Sequence, residues 1–536
     1  MAGLAPALLA ALLAGIAHTA AFAPLSGWWW QPLALAALVA LADGRRPGQA
    51  AALGWAFGVG WLASGLWWLF ISMHRYGGLP APLAALAVLL LAAALSLYYA
   101  AALAAWARWG MGGGAGRRVV VFAAAWLAAE LARASWFTGF PWIASGYVHT
   151  DGPLAAWAPW VGVYGIAALA AALAAALAGL VTEWMSGQRA ARGAARPQHL
   201  GRGPGGPMRR STALALAVTA LPWLLAPLLP QQFTQSAGRL AVTLVQPNVA
   251  QDLKFDPDRL AANQAALAQL VRQARGPVVV TPESVVPLPF ELVDPAYWQG
   301  LHRDLAANGR AALIGVFLPD GPVSGDGHGR YVNSMVGLAE GSPPEPGRFY
   351  HYGKRHLLPF GEFIPPGFGW FVRAMRIPLD DQAWGDSSAP FAVGGQRLRP
   401  LICYEDLFGE DIVDSVLGPK AATVFVNASN LAWFGPHMVQ DQHLQFSRMR
   451  ALEFQRPLVR ATNTGSTAVV DHTGRVTHRL PPEVVGLLDA EVEGRLGETP
   501  YARWLGAAGL KPLWALALGV LALAAWRRPA GGAPVG

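Results

Sequence analysis

Eight apolar runs limit what this chain can become. They cover about residues 4–22, 28–42, 51–73, 81–107, 119–134, 154–181, 212–229 and 504–526. A helix that crosses a bilayer needs roughly 20 predominantly apolar residues, with tolerance for tilt. The runs at 28–42 and 119–134 are the shortest. The first run is not read as a cleaved leader, because it lacks a basic start and further spans follow it. Composition agrees: 54% of residues are hydrophobic and 13% charged, whereas soluble domains carry about 25% charged residues. The mean hydropathy is +0.33. The expected architecture is an α-helical membrane bundle of about eight transmembrane helices, seven within 1–230 and the eighth at 504–526.

The formal charge is +8, but the surplus does not point to nucleic acid. It is arginine in short segments between apolar runs, where it sets topology. Arg45 and Arg46 follow the second run, and Arg108, Arg117 and Arg118 the fourth. Arg189, Arg192, Arg196, Arg202, Arg209 and Arg210 follow the sixth, and Arg527 and Arg528 the eighth. The positive-inside rule then puts both termini, the loop at about 184–211 and the tail 527–536 in the cytoplasm. The long segment between the seventh and eighth runs falls on the opposite face, periplasmic in a bacterium. Trp28, Trp29, Trp30, Trp67, Trp68, Trp136 and Trp142 sit near predicted span ends and read as an interfacial aromatic belt.

From about residue 236 to 500 the texture changes to that of an α/β domain. Candidate strands at 240–245, 278–281, 312–317, 398–403, 423–427 and 459–462 alternate with candidate helices at 257–275, 295–307 and 440–454, which implies strands buried between helix layers. In such folds the chemistry collects at strand ends and in the loops after them. Cys403, the only cysteine, ends a predicted strand and opens an acidic turn, Tyr404-Glu405-Asp406. Alone it reads equally as a small buried hydrophobe or as a nucleophile near backbone N–H groups. Glu283 follows another predicted strand, and Lys354 and Glu362 lie in an otherwise apolar stretch. The combination suits acyl chemistry: a carboxylate in an apolar pocket acts as base toward a thiol, and an ammonium favours both thiolate and oxyanion. His437 and His443 lack a second cysteine and the helical i, i+4 spacing, so zinc is the weaker reading and no metal or cofactor is expected.

Glu283, Lys354 and Cys403, in this order and these contexts, resemble the Glu-Lys-Cys triad of the nitrilase, or carbon-nitrogen hydrolase, superfamily. Eight spans flanking such a domain, with the last span after it, resemble the apolipoprotein N-acyltransferase family. The segment 354–363, Cys403-Tyr404-Glu405, Arg448-Met449-Arg450-Ala451-Leu452-Glu453 and Thr462-Asn463-Thr464-Gly465 carry the likeness. It implies an αββα sandwich for 236–500, with Glu283 as general base, Lys354 as oxyanion stabiliser and Cys403 as nucleophile. Glu362, Tyr404 and Glu405 would support them. Phe255, where the family often has tryptophan, with Asn430 and Trp433, would shape the substrate pocket. Leu431 departs from the family's usual aspartate. The implied partners are a phospholipid acyl donor and a diacylglyceryl-apolipoprotein acceptor, joined by a ping-pong thioester route. A membrane-tethered amidase and a non-catalytic scaffold are the competing readings. The apolar segment 363–377, with Trp370, Phe371, Arg373 and Arg376, reads as an arm that dips into the membrane surface, or else as a satellite core.

Overall fold

The computed structural model describes residues 3–193, 210–321, 330–345, 347–365, 367, 369, 382–387 and 389–527. Most of the loop at 184–211, nearly all of the tail 527–536 and the arm residues Trp370, Phe371, Arg373 and Arg376 lie outside the described residues. The chain forms two units. One comprises Met1–Trp67, Ala85–Leu229 and Leu510–Gly536, and the other Trp68–Ala84 and Pro230–Gly509.

The first unit is helical. Among the described residues, the helices Ala81–Trp109, Ala115–Thr138, Pro153–Ser186 and Arg210–Leu228 are long and apolar enough to cross a membrane. The number reaches six if Pro47–Gly65 with Leu69–Tyr76, and Pro500–Ala508 with Lys511–Trp526, each count as one bent span. Two shorter apolar helices, Leu4–Thr19 and Trp30–Ala42, occupy the first two runs. The third run was expected to continue to residue 73, but its helix stops at Gly65, and Trp68–Ala84 pack in the other unit. Glycines let these helices touch backbone to backbone. A Cβ on Gly15 would strike the carbonyl of Phe57, and one on Gly60 that of Leu12, the close approach that small residues allow where lipid offers no hydrophobic drive.

A charged pair lies inside this unit. Arg133 and Glu130, one helical turn apart and both buried, meet at 3.1 Å. Arg133 Nη1 also donates to the carbonyls of Phe140 and Trp142, each at 2.8 Å. Glu130 Oε1 accepts from Tyr99 Oη at 3.2 Å and from Ser145 N at 3.3 Å. The pair thus anchors the loop after its own helix. Trp142 and Trp68, expected in the aromatic belt, are buried instead. Removing one partner of a buried ion pair typically costs about 3–5 kcal/mol, because it strands the other charge. Arg133→Leu should therefore lower the thermal midpoint in detergent sharply, and adding Glu130→Gln should recover part of the loss. An unchanged melt for Arg133→Leu would show that the pair does not hold the loop.

The second unit contains two six-stranded mixed sheets. The first is ordered β12-β1-β2-β3-β4-β5, with β1 Thr234–Gln246, β2 Val278–Val280, β3 Ala311–Pro319, β4 Tyr331–Leu338, β5 Tyr350–Gly353 and β12 Gly486–Gly497. The second is ordered β11-β10-β9-β8-β7-β6, with β6 Phe391–Val393, β7 Gln396–Ile402, β8 Val424–Ser429, β9 Leu458–Thr462, β10 Ala468–Val470 and β11 Val476–Arg479. In each sheet three parallel strands lie in the middle and antiparallel strands flank them.

Strand periodicity explains the layers. Leu240, Val242 and Leu244 of β1 face inward and share one core with Val424, Val426, Val459 and Ala461 of the opposite sheet. Val245, Val279, Ala312 and Ile314 face outward and pack against the helices Pro257–Gln273 and Pro295–Ala307. The helix Met438–Phe454 packs against the outer side of the second sheet, where Phe454 meets Phe425 edge-on at 5.9 Å. The expected strands all fall within β1, β2, β3, β7, β8 and β9 or reach one residue past an end of one. The other six strands supply the antiparallel flanks. Trp68 joins this unit by a hydrogen bond of 3.2 Å from Nε1 to Gln442 Oε1 and by ring contact with Phe434 at 4.7 Å.

Candidate active site

Three strand ends converge on one polar cluster. The parallel strand β2 runs into Thr281-Pro282-Glu283-Ser284, and Ser284 takes a left-handed φ of 42°. Gly315 of β3 lets this turn lie close, since a Cβ there would strike the carbonyl of Pro282. The edge strand β5 ends at Gly353, so Lys354 is the next residue. The parallel strand β7 ends at Ile402, and Cys403 opens a 3-10 helix, Cys403–Leu407, with φ of 50°. A non-glycine residue in this region is strained by roughly 1–3 kcal/mol and persists only where its surroundings fix it.

Lys354 stands between two carboxylates. Its Nζ is 2.7 Å from Glu362 Oε1 and 3.4 Å from Glu283 Oε1. All three side chains are nearly excluded from solvent. Asn333 of β4 bridges the same two acids, its Nδ2 donating to Glu283 at 2.8 Å and to Glu362 at 3.1 Å. The backbone N–H of Asn430 holds the other oxygen of Glu283 at 2.9 Å. Glu362 Oε2 accepts from Leu358 N at 2.8 Å, closing its own loop.

Glu405 joins the ends of the two sheets. It accepts from Ile402 N at 2.6 Å, next to Cys403, and from Arg355 N at 2.7 Å, next to Lys354. Tyr352 Oη donates to both of its oxygens, at 2.7 and 2.8 Å, and His356 N adds a longer bond of 3.3 Å. Tyr404 is buried, with His356 and Phe408 against its ring. Behind the turn, Asn427 Nδ2 donates to the Cys403 carbonyl at 3.2 Å, and buried Arg460 holds Asn427 Oδ1 at 2.8 Å.

The electrostatics set a resting state. Burial pushes the Cys403 thiol well above its ordinary pKa, and the facing Glu283 carboxylate adds to this. Lys354 and Arg460 pull it back only in part. Cys403 therefore rests protonated. Burial disfavours the charged form of Lys354, yet Glu362 and Glu283 outweigh it and raise its pKa, so it stays an ammonium. A neutral thiol, a carboxylate and a fixed cation can together open an acyl bond: the thiol gives its proton to the acid as it attacks, and the cation meets the new negative oxygen.

Glu283, Lys354 and Glu362 are thus in direct contact, and their charges act on Cys403. Phe255 and Trp433 are both exposed, with ring centroids 6.5 Å apart. Asn430 is buried, its side chain bonded to Gln251 at 2.8 Å and Asn463 at 3.0 Å. His443 accepts from Arg460 within the buried network behind Cys403. Sequence reasoning missed Asn333, Arg460 and Lys254. Lys254 is buried beside Glu283 and lowered by that burial to about 8, with Glu283 and Cys403 opposing the shift. For Asn333 and Arg460 the only signal was a polar side chain within a strand-like stretch, and Lys254, among Gln251, Asp252 and Asp256, carried none. Glu405→Gln should cost about 3 kcal/mol or more in chemical denaturation, since bonds to a charged group contribute about 1.5–3 kcal/mol each. It should also speed hydrogen exchange at the Ile402 and Arg355 amides, and unchanged exchange there would exclude a clamping role.

Comparison with known proteins agrees with this architecture. Residues 14–176 match the family described as apolipoprotein N-acyltransferase N-terminal domain, and residues 241–501 the carbon-nitrogen hydrolase family. An apolipoprotein N-acyltransferase of Verminephrobacter eiseniae is 46% identical, over 93% of this chain and 92% of its own length. The protein of that name from Ralstonia nicotianae is 44% identical, over 98% and 94%. That from Bordetella bronchiseptica is 40% identical, over 98% and 96%.

Proposed function

Since the chain belongs to the apolipoprotein N-acyltransferase family, we propose that it moves an acyl chain from a membrane phospholipid, through a thioester on Cys403, to the α-amine of an S-diacylglyceryl-cysteine at the N-terminus of an apolipoprotein. Lipoprotein N-acylation is the activity the family implies. The thioester route is supported by one observation above the rest. The only cysteine sits on a left-handed turn within the field of a lysine clamped between two carboxylates.

The steps follow from the charges. Glu283 takes the proton of the neutral Cys403 thiol as sulfur attacks the ester carbonyl. Lys354 and the backbone N–H of Tyr404, the residue after the nucleophile, receive the oxyanion. Collapse breaks the ester bond, and Glu283 returns the proton to the departing lysophospholipid alkoxide. The lipoprotein amine then attacks the thioester, loses a proton to Glu283 and leaves as an amide, while Cys403 regains its proton. Glu362 keeps Lys354 in place and charged, and Tyr404 and Glu405 fix the nucleophile's turn. Phe255 and Trp433, with Trp370 and Phe371, are assigned to the lipid side, and Asn430, buried and bonded to Gln251 and Asn463, to the frame of the same pocket.

In the same reading the four long helices, the two bent pairs and the two short helices make up eight spans. Seven lie within 1–230, the eighth is at 504–526, and the catalytic domain between them covers 236–500. The arginine distribution supports an inner-membrane protein with cytoplasmic termini and loop 184–211 and a periplasmic catalytic domain. Incubation with phospholipid labelled in its acyl chain tests the chemistry. The wild-type protein should carry label that hydroxylamine removes and that passes to a diacylglyceryl peptide. Cys403→Ala should carry none, and Lys354→Met should lose about 3 kcal/mol of transition-state stabilisation, roughly 100-fold in rate. Label released only as free fatty acid would identify a hydrolase instead. A reporter fused after residue 206 should read cytoplasm and one within 321–329 periplasm, and the reverse would overturn the orientation.

A further inference from the structure

The loop after β1 bears on Glu283 from two directions. It contains a one-turn helix, Gln251–Lys254, and both ends of that helix are buried. At one end, Lys254 Nζ donates to Ser284 Oγ at 2.9 Å and to the carbonyl of Glu283 at 3.2 Å. These are the backbone and side chain of the left-handed turn that carries the Glu283 carboxylate. At the other end, Gln251 Oε1 accepts from Asn430 Nδ2 at 2.8 Å. The backbone N–H of that same Asn430 donates to Glu283 Oε2. Asn463 ties the loop down, receiving Val249 N at 2.9 Å and donating to the Val249 carbonyl at 2.7 Å and to Asn430 Oδ1 at 3.0 Å.

A buried lysine is costly unless its charge is needed. Lys254 makes no bond to the Glu283 carboxylate among the described residues. Its ammonium is instead directed at the two acceptors that define the turn. A serine at positive φ does not hold that conformation unaided. An ammonium bonded to both its hydroxyl and the preceding carbonyl supplies the fixing contact, and charge-assisted bonds of this kind are stronger than neutral ones. We propose that the helix Gln251–Lys254 is a positioning element for the general base: Lys254 fixes the backbone of the Glu283–Ser284 turn, and Gln251, acting through Asn430, fixes the carboxylate. The proposal rests on the assignment of Glu283 as base in the acyl transfer above.

The rate of acyl-enzyme formation with labelled phospholipid, measured against lipid concentration, tests it. Misplacing a base by about 1 Å costs roughly 10- to 100-fold in rate. Lys254→Met should lower the maximal acylation rate by that factor, with KM for phospholipid within about twofold and the thermal midpoint little changed. Lys254→Arg, which can donate to both acceptors, should restore part of the rate. Ser284→Ala should slow acylation, and in its background Lys254→Met should cost clearly less than it does alone, because one of its acceptors is already gone. Should Lys254→Met fail to fold, Gln251→Leu tests the same element from its other end and should show the same split. A raised KM at unchanged maximal rate, additive single effects, or a rate that falls only as far as the folded fraction would each overturn the positioning role. A wild-type protein that never acylates Cys403 would remove the premise itself and is read separately, from the wild-type arm alone.

Discussion

The Glu405 carboxylate is the interaction on which the arrangement of this site depends. Lys354 follows the edge strand of one sheet, and Cys403 follows a central strand of the other. No covalent link shorter than the chain between them sets their separation. Glu405 sets it by accepting the N–H of the residue before Cys403 and the N–H of the residue after Lys354. A buried carboxylate holds such a position because its desolvation is offset only when its oxygens are filled by donors. Here four donors fill them. Displacing either strand end would leave a buried charge short of partners.

Two acids flank Lys354 from separate segments of the chain. Glu362 is the closer ion partner and is bonded also to Leu358 N. Glu283 sits farther from the ammonium and faces the thiol's field. Together they keep Lys354 charged despite its burial, and in the proposed mechanism Glu283 is the one that takes the thiol's proton. The raised thiol agrees with the mechanism proposed above, in which proton transfer and attack on the ester belong to one step.

The sequence carried the central strands well, and it also marked the residues that the fold brings together around Lys354, because both follow from simple patterns. Parallel strands buried on two faces read as continuous apolar runs, as at 278–281 and 398–403, and acid, lysine and thiol each stood just past such a run or within an apolar stretch. The flanking strands were illegible for the opposite reason. Most of β11 and much of β12 is exposed or half-exposed, and their pairing is decided by partners far away in the chain. The same holds for Asn333 and Lys254. A lone polar residue in a strand or short loop has many bland explanations, and only the fold brings it against Glu283. In the membrane half, residues 68–84 belong with the catalytic unit, a fact of tertiary packing that hydropathy cannot express.

The pairing of β1 with β12 has a consequence for how the protein is made. Thr234 lies opposite Gly497, so the first and last strands of the catalytic unit are neighbours and every proposed catalytic group lies in the chain between them. Closing a loop of that length costs only slowly growing entropy at equilibrium, but it makes folding late, because a non-local pair forms only once both strands exist. On the ribosome, β1 waits without its outer partner while the next roughly 240 residues are synthesised, with its edge open to wrong pairing. A chain truncated short of β12 would carry Glu283, Lys354 and Cys403 and still leave β1 without its outer partner.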